Sequence, residues 1–312
     1  MILRRFLTLL LGLWLGCFAG VGVHAANSVV IVSSERSAAY TETAQTLIDE
    51  LERNGVARRD VLQIASADWS IAAPPSAKLY VTLGAEAASL LARSNLVAPV
   101  LCTLLPRSSF EAVLHMSGRK PSAQFSALFL DQPLSRQLEL VRLALPTARR
   151  VGVLRGSEVL TEASVLKPLV QARGLQLTEV LVGAGDSLFP AIKEVLEASD
   201  VLLALPDAKV YNSNTVQNIL LASFRAKVPM VAFSPAYVRA GALLAVHVTP
   251  VQVGLQAAAL AGSVFQGKSL PEAPVYSREF EVSVNEHVAR SFGLTLDPQT
   301  LRQSLRRRES LP

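Results

Sequence analysis

Cysteine is scarce, with two in 312 residues, Cys17 and Cys102. Cys17 falls in an apolar leader, so the rest of the chain holds one thiol and no internal disulfide. Its stability must come from packed cores. Cys102 lies in the apolar run Pro99–Leu105 and reads as a buried small hydrophobe. Histidine is nearly as sparse. His115, His247 and His287 stand far apart, with no pair at the i, i+4 or short-loop spacing of metal ligands, so no metal is expected. His247 interrupts an apolar run and reads as a hydrogen-bonded core residue. Gly183-Ala184-Gly185-Asp186 lacks the third glycine of a dinucleotide-binding turn, no lysine follows a glycine-rich phosphate loop, and there is no G-x-S-x-G elbow. Dinucleotide enzymes, ATPases and triad hydrolases are disfavoured on these grounds, and no cofactor is expected.

The body of the chain also lacks an excess of either charge. Of the formal +5, Arg4 and Arg5 supply two charges. The segment from Leu301 supplies a net three, through Arg302, Arg306, Arg307 and Arg308 against Glu309. The remainder is neutral, so a nucleic-acid face is not supported. The arginine cluster at residues 301–312 reads as a solvated basic tail. No internal repeat, low-complexity segment or flexible linker interrupts the chain.

Residues 1–26 combine a basic start, an apolar run from Phe6 to Phe18 and small residues up to Ala25-Ala26. This is the layout of a secretory signal, cleaved after Ala25 or Ala26. The run is short for a membrane span, which takes about 20 apolar residues. An uncleaved anchor is one alternative. Lipid attachment at Cys17 is another, although Trp14 fits poorly three places before it.

From Ser28 the pattern alternates strand and helix. Strands are expected at Val29–Val32, Val61–Ile64, Leu79–Leu83, Pro99–Leu105 and Ser126–Leu130, with helices at Tyr40–Arg53, Ala85–Arg93 and Phe110–His115. Asp68-Trp69 falls in a loop, its tryptophan reading as an exposed cover. A second series follows, with helices at Ser135–Leu145, Ala163–Arg173, Phe189–Ala198, Asn214–Lys227 and Val251–Gln266. Its strands are Val151–Leu154, Leu177–Val182, Val201–Leu205, Met230–Phe233, Leu243–Val248 and Phe280–Val284, and a short helix spans Glu286–Phe292. Short continuous apolar runs read as strands buried on both faces of a parallel sheet. Asn214 and Gln217 have the spacing of a capping box. Two successive series of similar size describe an α/β protein of two packed, Rossmann-like lobes with parallel sheets.

In such sheets ligands meet the loops beyond the carboxyl ends of the strands. The first series offers Ser34, Glu35, Gly84 and Ala85 there, and the second Gly156, Ser157, Asp207, Ser234 and Tyr237. Gly84 lets a ligand approach the backbone, and the amides opening the Ala85 helix suit an anion. Asp207 or Glu35 would pair with an ammonium group, while Ser34 and the amides near Gly84 hold a carboxylate. Tyr237 would form an aromatic wall or pack in the hinge, and Asp207 and Ser234 are alternatively helix caps.

Residues 200–254 carry the order D…LPD…N-T…A…VP…FS…YV-x-x-GAL…TP-x-x-x-G. This resembles the periplasmic substrate-binding proteins of ABC transporters, in the branch with tryptophan- and phenylalanine-binding members. The likeness spans nearly all of the mature chain, and its motifs are concentrated in the carboxyl half. It implies a type I binding-protein fold whose hinge is crossed three times, near Asp131–Pro133, Thr249-Pro250 and Tyr276–Phe280. One lobe would hold residues 27–131 and 250–278, the other 132–249 and 279–300. It also implies a monomer in the periplasm that delivers a small ligand to a membrane permease, without catalysis. The first lobe departs from the family pattern at LGAEAAS and FSALFLDQP, which leaves the ligand open. A ligand-binding subunit of a membrane sensor kinase would share the fold and the cleft, and a two-lobed α/β enzyme using Glu35 and Asp207 is a third reading.

Overall fold

The structure, a computed structural model, describes residues 27–156, 161–183 and 185–309. The expected leader with Cys17, and Ser157 among the site candidates, lie outside them.

The first sheet is six-stranded, in the order β11-β5-β4-β3-β1-β2, and all its pairs are parallel. Its strands are β1 (Asn27–Ser33), β2 (Val61–Ala65), β3 (Ala77–Leu83), β4 (Val100–Leu105), β5 (Phe125–Phe129) and the short β11 (Val275–Tyr276). Helices α1 (Ala38–Arg53), α2 (Ala85–Arg93) and α3 (Arg107–Ser117) connect them. The expected face of α1, with Ala44, Leu47, Ile48 and Leu51, is buried against β1, β3 and the helix α9 (Pro250–Phe265).

The second sheet runs β12-β10-β9-β8-β6-β7. It holds β6 (Arg150–Gly156), β7 (Gln176–Val182), β8 (Val201–Leu203), β9 (Met230–Ala232), β10 (Leu244–His247) and β12 (Glu281–Val284). Its helices are α4 (Leu134–Ala144), α5 (Thr161–Gln171), α6 (Leu188–Glu197), α7 (Val216–Arg225), α8 (Pro235–Ala240), α10 (Glu286–Ser291) and α11 (Pro298–Glu309). Two α/β lobes of the type I binding-protein kind result. The chain passes between the sheets after β5, after β10 and after β11.

Four expectations need correction. The second sheet is not wholly parallel, because β12 pairs antiparallel with β10 (Leu244↔Val284, His247↔Glu281) at the edge. An antiparallel edge strand needs no covering crossover helix, and it suits a chain arriving from the other lobe. The Asn214–Gln217 capping box does not form. Helix α7 starts after Thr215, whose hydroxyl accepts from the Asn212 amide, while Asn212 Oδ1 accepts from the Asn214 amide. Local side-chain bonds of this kind compete with the helix start. A capping box does form at Thr249 and Gln252, on α9.

Trp69 is buried rather than an exposed cover, with its indole N–H donating to Ser94 Oγ at 3.0 Å. Finally, the basic tail is helix α11. Leu301 and Leu305, one turn apart, are buried in the core that holds Phe280 and Leu138. Its arginines pair outward, Arg302 with Glu281, Arg306 with Glu279 and Arg308 with Glu139.

Candidate functional site

At the tip of the first sheet, β1 and β3 run side by side and their following residues stay together. The Ser34 amide donates to Leu83 O at 2.9 Å, and the Gly84 amide to Thr103 O at 2.8 Å. Gly84 has φ +92°, a left-handed backbone that glycine adopts without strain. A Cβ there would meet Tyr40 Oη at 2.5 Å and Ser34 Oγ at 2.6 Å, so the glycine lets α2 start against both groups.

Ser34 Oγ accepts the Ala87 amide at 2.9 Å and so caps α2 from a neighbouring strand. A hydroxyl has one donor besides its acceptor sites, so the Ser34 proton stays available to a ligand. The Ala85 and Glu86 amides have no acceptor among the described residues. Together these donors converge at a helix N-terminus, an arrangement whose chemistry suits an anion. Glu35 is exposed and accepts from the Tyr40 phenol, whose pKa is pushed up to about 12 by burial and then by that carboxylate.

At the tip of the second sheet, Asp207 is buried in the loop after β8. Its Oδ2 accepts the Gly156 amide at 2.7 Å and its Oδ1 the Lys209 amide at 2.9 Å. A Cβ on Gly156 would lie 3.1 Å from Oδ2, so the small residue permits this approach. A carboxylate has about four acceptor positions, and among the described residues these two amides take two of them.

Beside it Tyr211, Phe233 and Tyr237 form a ring cluster with centroid separations of 6.1, 4.8 and 6.4 Å. Tyr237 therefore packs in an aromatic cluster with Tyr211 and Phe233. Tyr211 is 5% exposed, and its phenol has no hydrogen-bond partner among the described residues. Burial, then Tyr237 and Asp207, push its pKa far upward, so it stays a neutral donor. Ser234 precedes α8 in extended backbone, is half-buried and makes no side-chain cap.

Ser34, Gly84 and Ala85 thus come together at one tip, and Gly156 and Asp207 at the other, with Tyr237 adjoining through Tyr211. The two tips meet where Ser108 Oγ, at the start of α3, donates to Pro206 O at 3.1 Å. Helix α3 is pinned there by Asp131, whose Oδ2 accepts the Arg107 amide at 2.8 Å. Tyr211 and Phe233 enter the site without having been singled out as candidates, whereas Ser108 belongs to Leu105–Ser108, one of the strand-end loops that the sequence offers. The one sequence signal for Tyr211 was an aromatic four residues after the aspartate of LPD. A concavity of about 890 Å³ lies between α1 and α9 and is lined by Ser28 and Lys78 at the strand starts. It lies at the strand starts, the end of the sheet opposite the tips, so the tips are the stronger candidate.

A family profile described as ABC transporter substrate binding protein matches residues 27–306. A tyrosine-binding protein of Clostridioides difficile (strain R20291) is 26% identical over 200 residues, which cover 63% of this chain and 57% of that protein. The chain therefore spans a little over half of that relative's length. Among solved structures, a ligand-free, open substrate binding protein with adhesive properties from Clostridium difficile superposes with TM-score 0.67. It is 16% identical, over 87% of this chain and 96% of that one. An ABC domain in complex with L-Trp from Streptococcus pneumonia gives TM-score 0.61 at 15% identity, over 88% of this chain and 98% of that one. Likeness at such identities speaks to the fold.

Proposed function

This chain belongs to the ABC transporter substrate binding protein family, and we propose that it traps a small zwitterion, an α-amino acid, between its lobes for delivery to a membrane permease. The observation that carries the reading is the opposite chemistry of the two tips. One gathers donors, the Ser34 hydroxyl and the Ala85 and Glu86 amides, with the exposed Glu35 carboxylate at its margin, and the other offers the buried Asp207 carboxylate. A molecule with a carboxylate and an ammonium satisfies both only when the lobes approach, which couples binding to closure.

The ring cluster around Tyr211 favours an aromatic side chain, in keeping with the tyrosine and L-Trp named for the similar proteins. On this reading Gly156, Ser157, Ser234 and Tyr237 complete the second wall and Glu35 the first. The lobes are residues 27–131 with 250–278, and 132–249 with 279–300, against which α11 packs. Residues 1–26 direct export to the periplasm, where the protein acts as a monomer without a cofactor.

Calorimetric titration tests the reading with L-tyrosine, L-tryptophan and L-phenylalanine, each beside its amine (carboxylate absent) and its des-amino acid (ammonium absent). At least one amino acid binds, and each truncated analogue binds about tenfold or more weakly, because a buried charged partner is left unmatched. Equal binding of the truncated analogues, or no binding by any amino acid, overturns it.

A further inference from the structure

Arg136 stands at the start of α4, just past the first crossing between lobes, and is 7% exposed. Its guanidinium meets three separate parts of the chain. Nη1 donates to Gln132 Oε1 at 2.5 Å and to Ser277 O at 3.2 Å. Nε and Nη2 donate to the two oxygens of Glu309, at 2.5 and 2.9 Å, in a bidentate pair. The cation lies 4.1 Å from the centroid of the Phe280 ring. Gln132 belongs to the first crossing, Ser277 and Phe280 to the third, and Glu309 to α11.

From the opposite side Gln256 of α9, a helix of the first lobe, holds the same third crossing. Its Oε1 accepts from Ser277 Oγ at 3.1 Å and from the Arg278 amide at 3.0 Å. The second crossing is tied in as well, since Gln252 donates to Glu281, which also pairs with Arg302 of α11. Helix α11 is therefore linked to all three crossings, directly to the third through Glu279 and to the others through Arg136 and Glu281.

We propose that Arg136 is a positioning residue that sets the balance between open and closed lobes, locked in place by Glu309 of α11. Rotation of the lobes bends the crossings relative to one another, so the separation of Gln132 and Ser277 changes with lobe angle. A planar fork of fixed geometry fits one separation best. All its bonds are made in the state where Ser108 touches Pro206, so the fork stabilises the approached lobes. It touches no ligand and acts on affinity through the fraction of closure-competent protein.

The inference rests on the lobe-closing function above, and its test separates the two. Glu309→Ala acts from the half-exposed end of the pair, so it spares the fold even where Arg136→Ala fails to accumulate. Arg136→Lys keeps the charge and loses the fork. Small-angle X-ray scattering of the ligand-free protein is expected to give a larger radius of gyration in both variants. Calorimetry with L-tyrosine is expected to give a Kd weakened about fivefold in both, with lysine failing to rescue. An unchanged radius and Kd with only a lowered Tm would make Arg136 a plain structural brace and overturn the inference. If the parent binds none of L-tyrosine, L-tryptophan and L-phenylalanine, the ligand assignment fails while the ligand-free radii still decide the role of Arg136.

Discussion

The hydroxyl of Ser108, in the first lobe, donates to the carbonyl of Pro206, in the second, across 3.1 Å. The bond joins the start of α3 to the residue before Asp207, so it exists only when the lobes approach. Ser108→Ala should loosen the ligand-free protein and weaken ligand binding about two- to tenfold, the range of one net hydrogen bond. Scattering and calorimetry together check this, and the change should leave Tm within about 1 °C.

Asp207 has two duties that substitution can separate. Alanine leaves the buried Gly156 amide without its acceptor and takes away that of the part-buried Lys209 amide, at a cost of about 1–3 kcal/mol in urea unfolding, and also abolishes amino-acid binding. Asparagine retains one carbonyl acceptor, so Asp207→Asn should recover much of the stability while binding stays lost. Recovery of binding by asparagine would show that the negative charge is not what the ligand meets.

Gly84→Ala should be destabilising by about 1–3 kcal/mol. The added Cβ suffers both from φ +92° and from Tyr40 Oη and Ser34 Oγ at 2.5 and 2.6 Å. Because the clash pushes Ser34 off the Ala87 amide, ligand affinity should fall as well. Thermal unfolding with and without ligand measures both effects.

Stability should decline on mild acidification, in part through His247. Burial holds its pKa below the ordinary value, and Arg239 adds to this, while the Val248 backbone and Glu281 oppose it. The folded protein therefore keeps the ring neutral, with Nε2 against Ser283 Oγ at 2.8 Å. A base depressed on folding contributes stability that is present above about pH 6.5 and is lost as pH falls through that value toward the folded pKa. His247→Gln should flatten the dependence of unfolding free energy on pH between about 7 and 5. An unchanged slope would assign the effect to other groups.

Helix α11 should behave as core and not as tail. Leu305→Ala is expected to cost about 2 kcal/mol or more in denaturant unfolding, as for other interior leucines. A loss below about 0.5 kcal/mol would restore the solvated-tail reading.

Most of the architecture was legible in the sequence because strong periodicity carries it. The α1 face at Ala44, Leu47, Ile48 and Leu51, and the buried runs of β4 and β10, are local patterns, and the structure bears them out. What stayed hidden depends on residues far apart in the chain. Ser34 caps a helix that begins 51 residues later, Asp207 reaches back to Gly156, and Arg136 forks onto Glu309. Nothing local at either end announces such pairs. The i, i+4 leucines of α11 were visible in the sequence, but the arginines around them pointed to solvent. Those arginines in fact face acids contributed by α4 and by the segment around β12. The direction of β12 was hidden for the same reason, since strand composition carries no information about which neighbour will receive it.

The capture of a zwitterion between the strand tips is tested most directly by amide chemical shifts during titration with the tightest-binding amino acid. The amides of Ala85 and Glu86 in one lobe and of Gly156 and Lys209 in the other should move together and saturate at one Kd. Shifts confined to a single lobe, or centred on the α1–α9 concavity near Ser28 and Lys78, would contradict it.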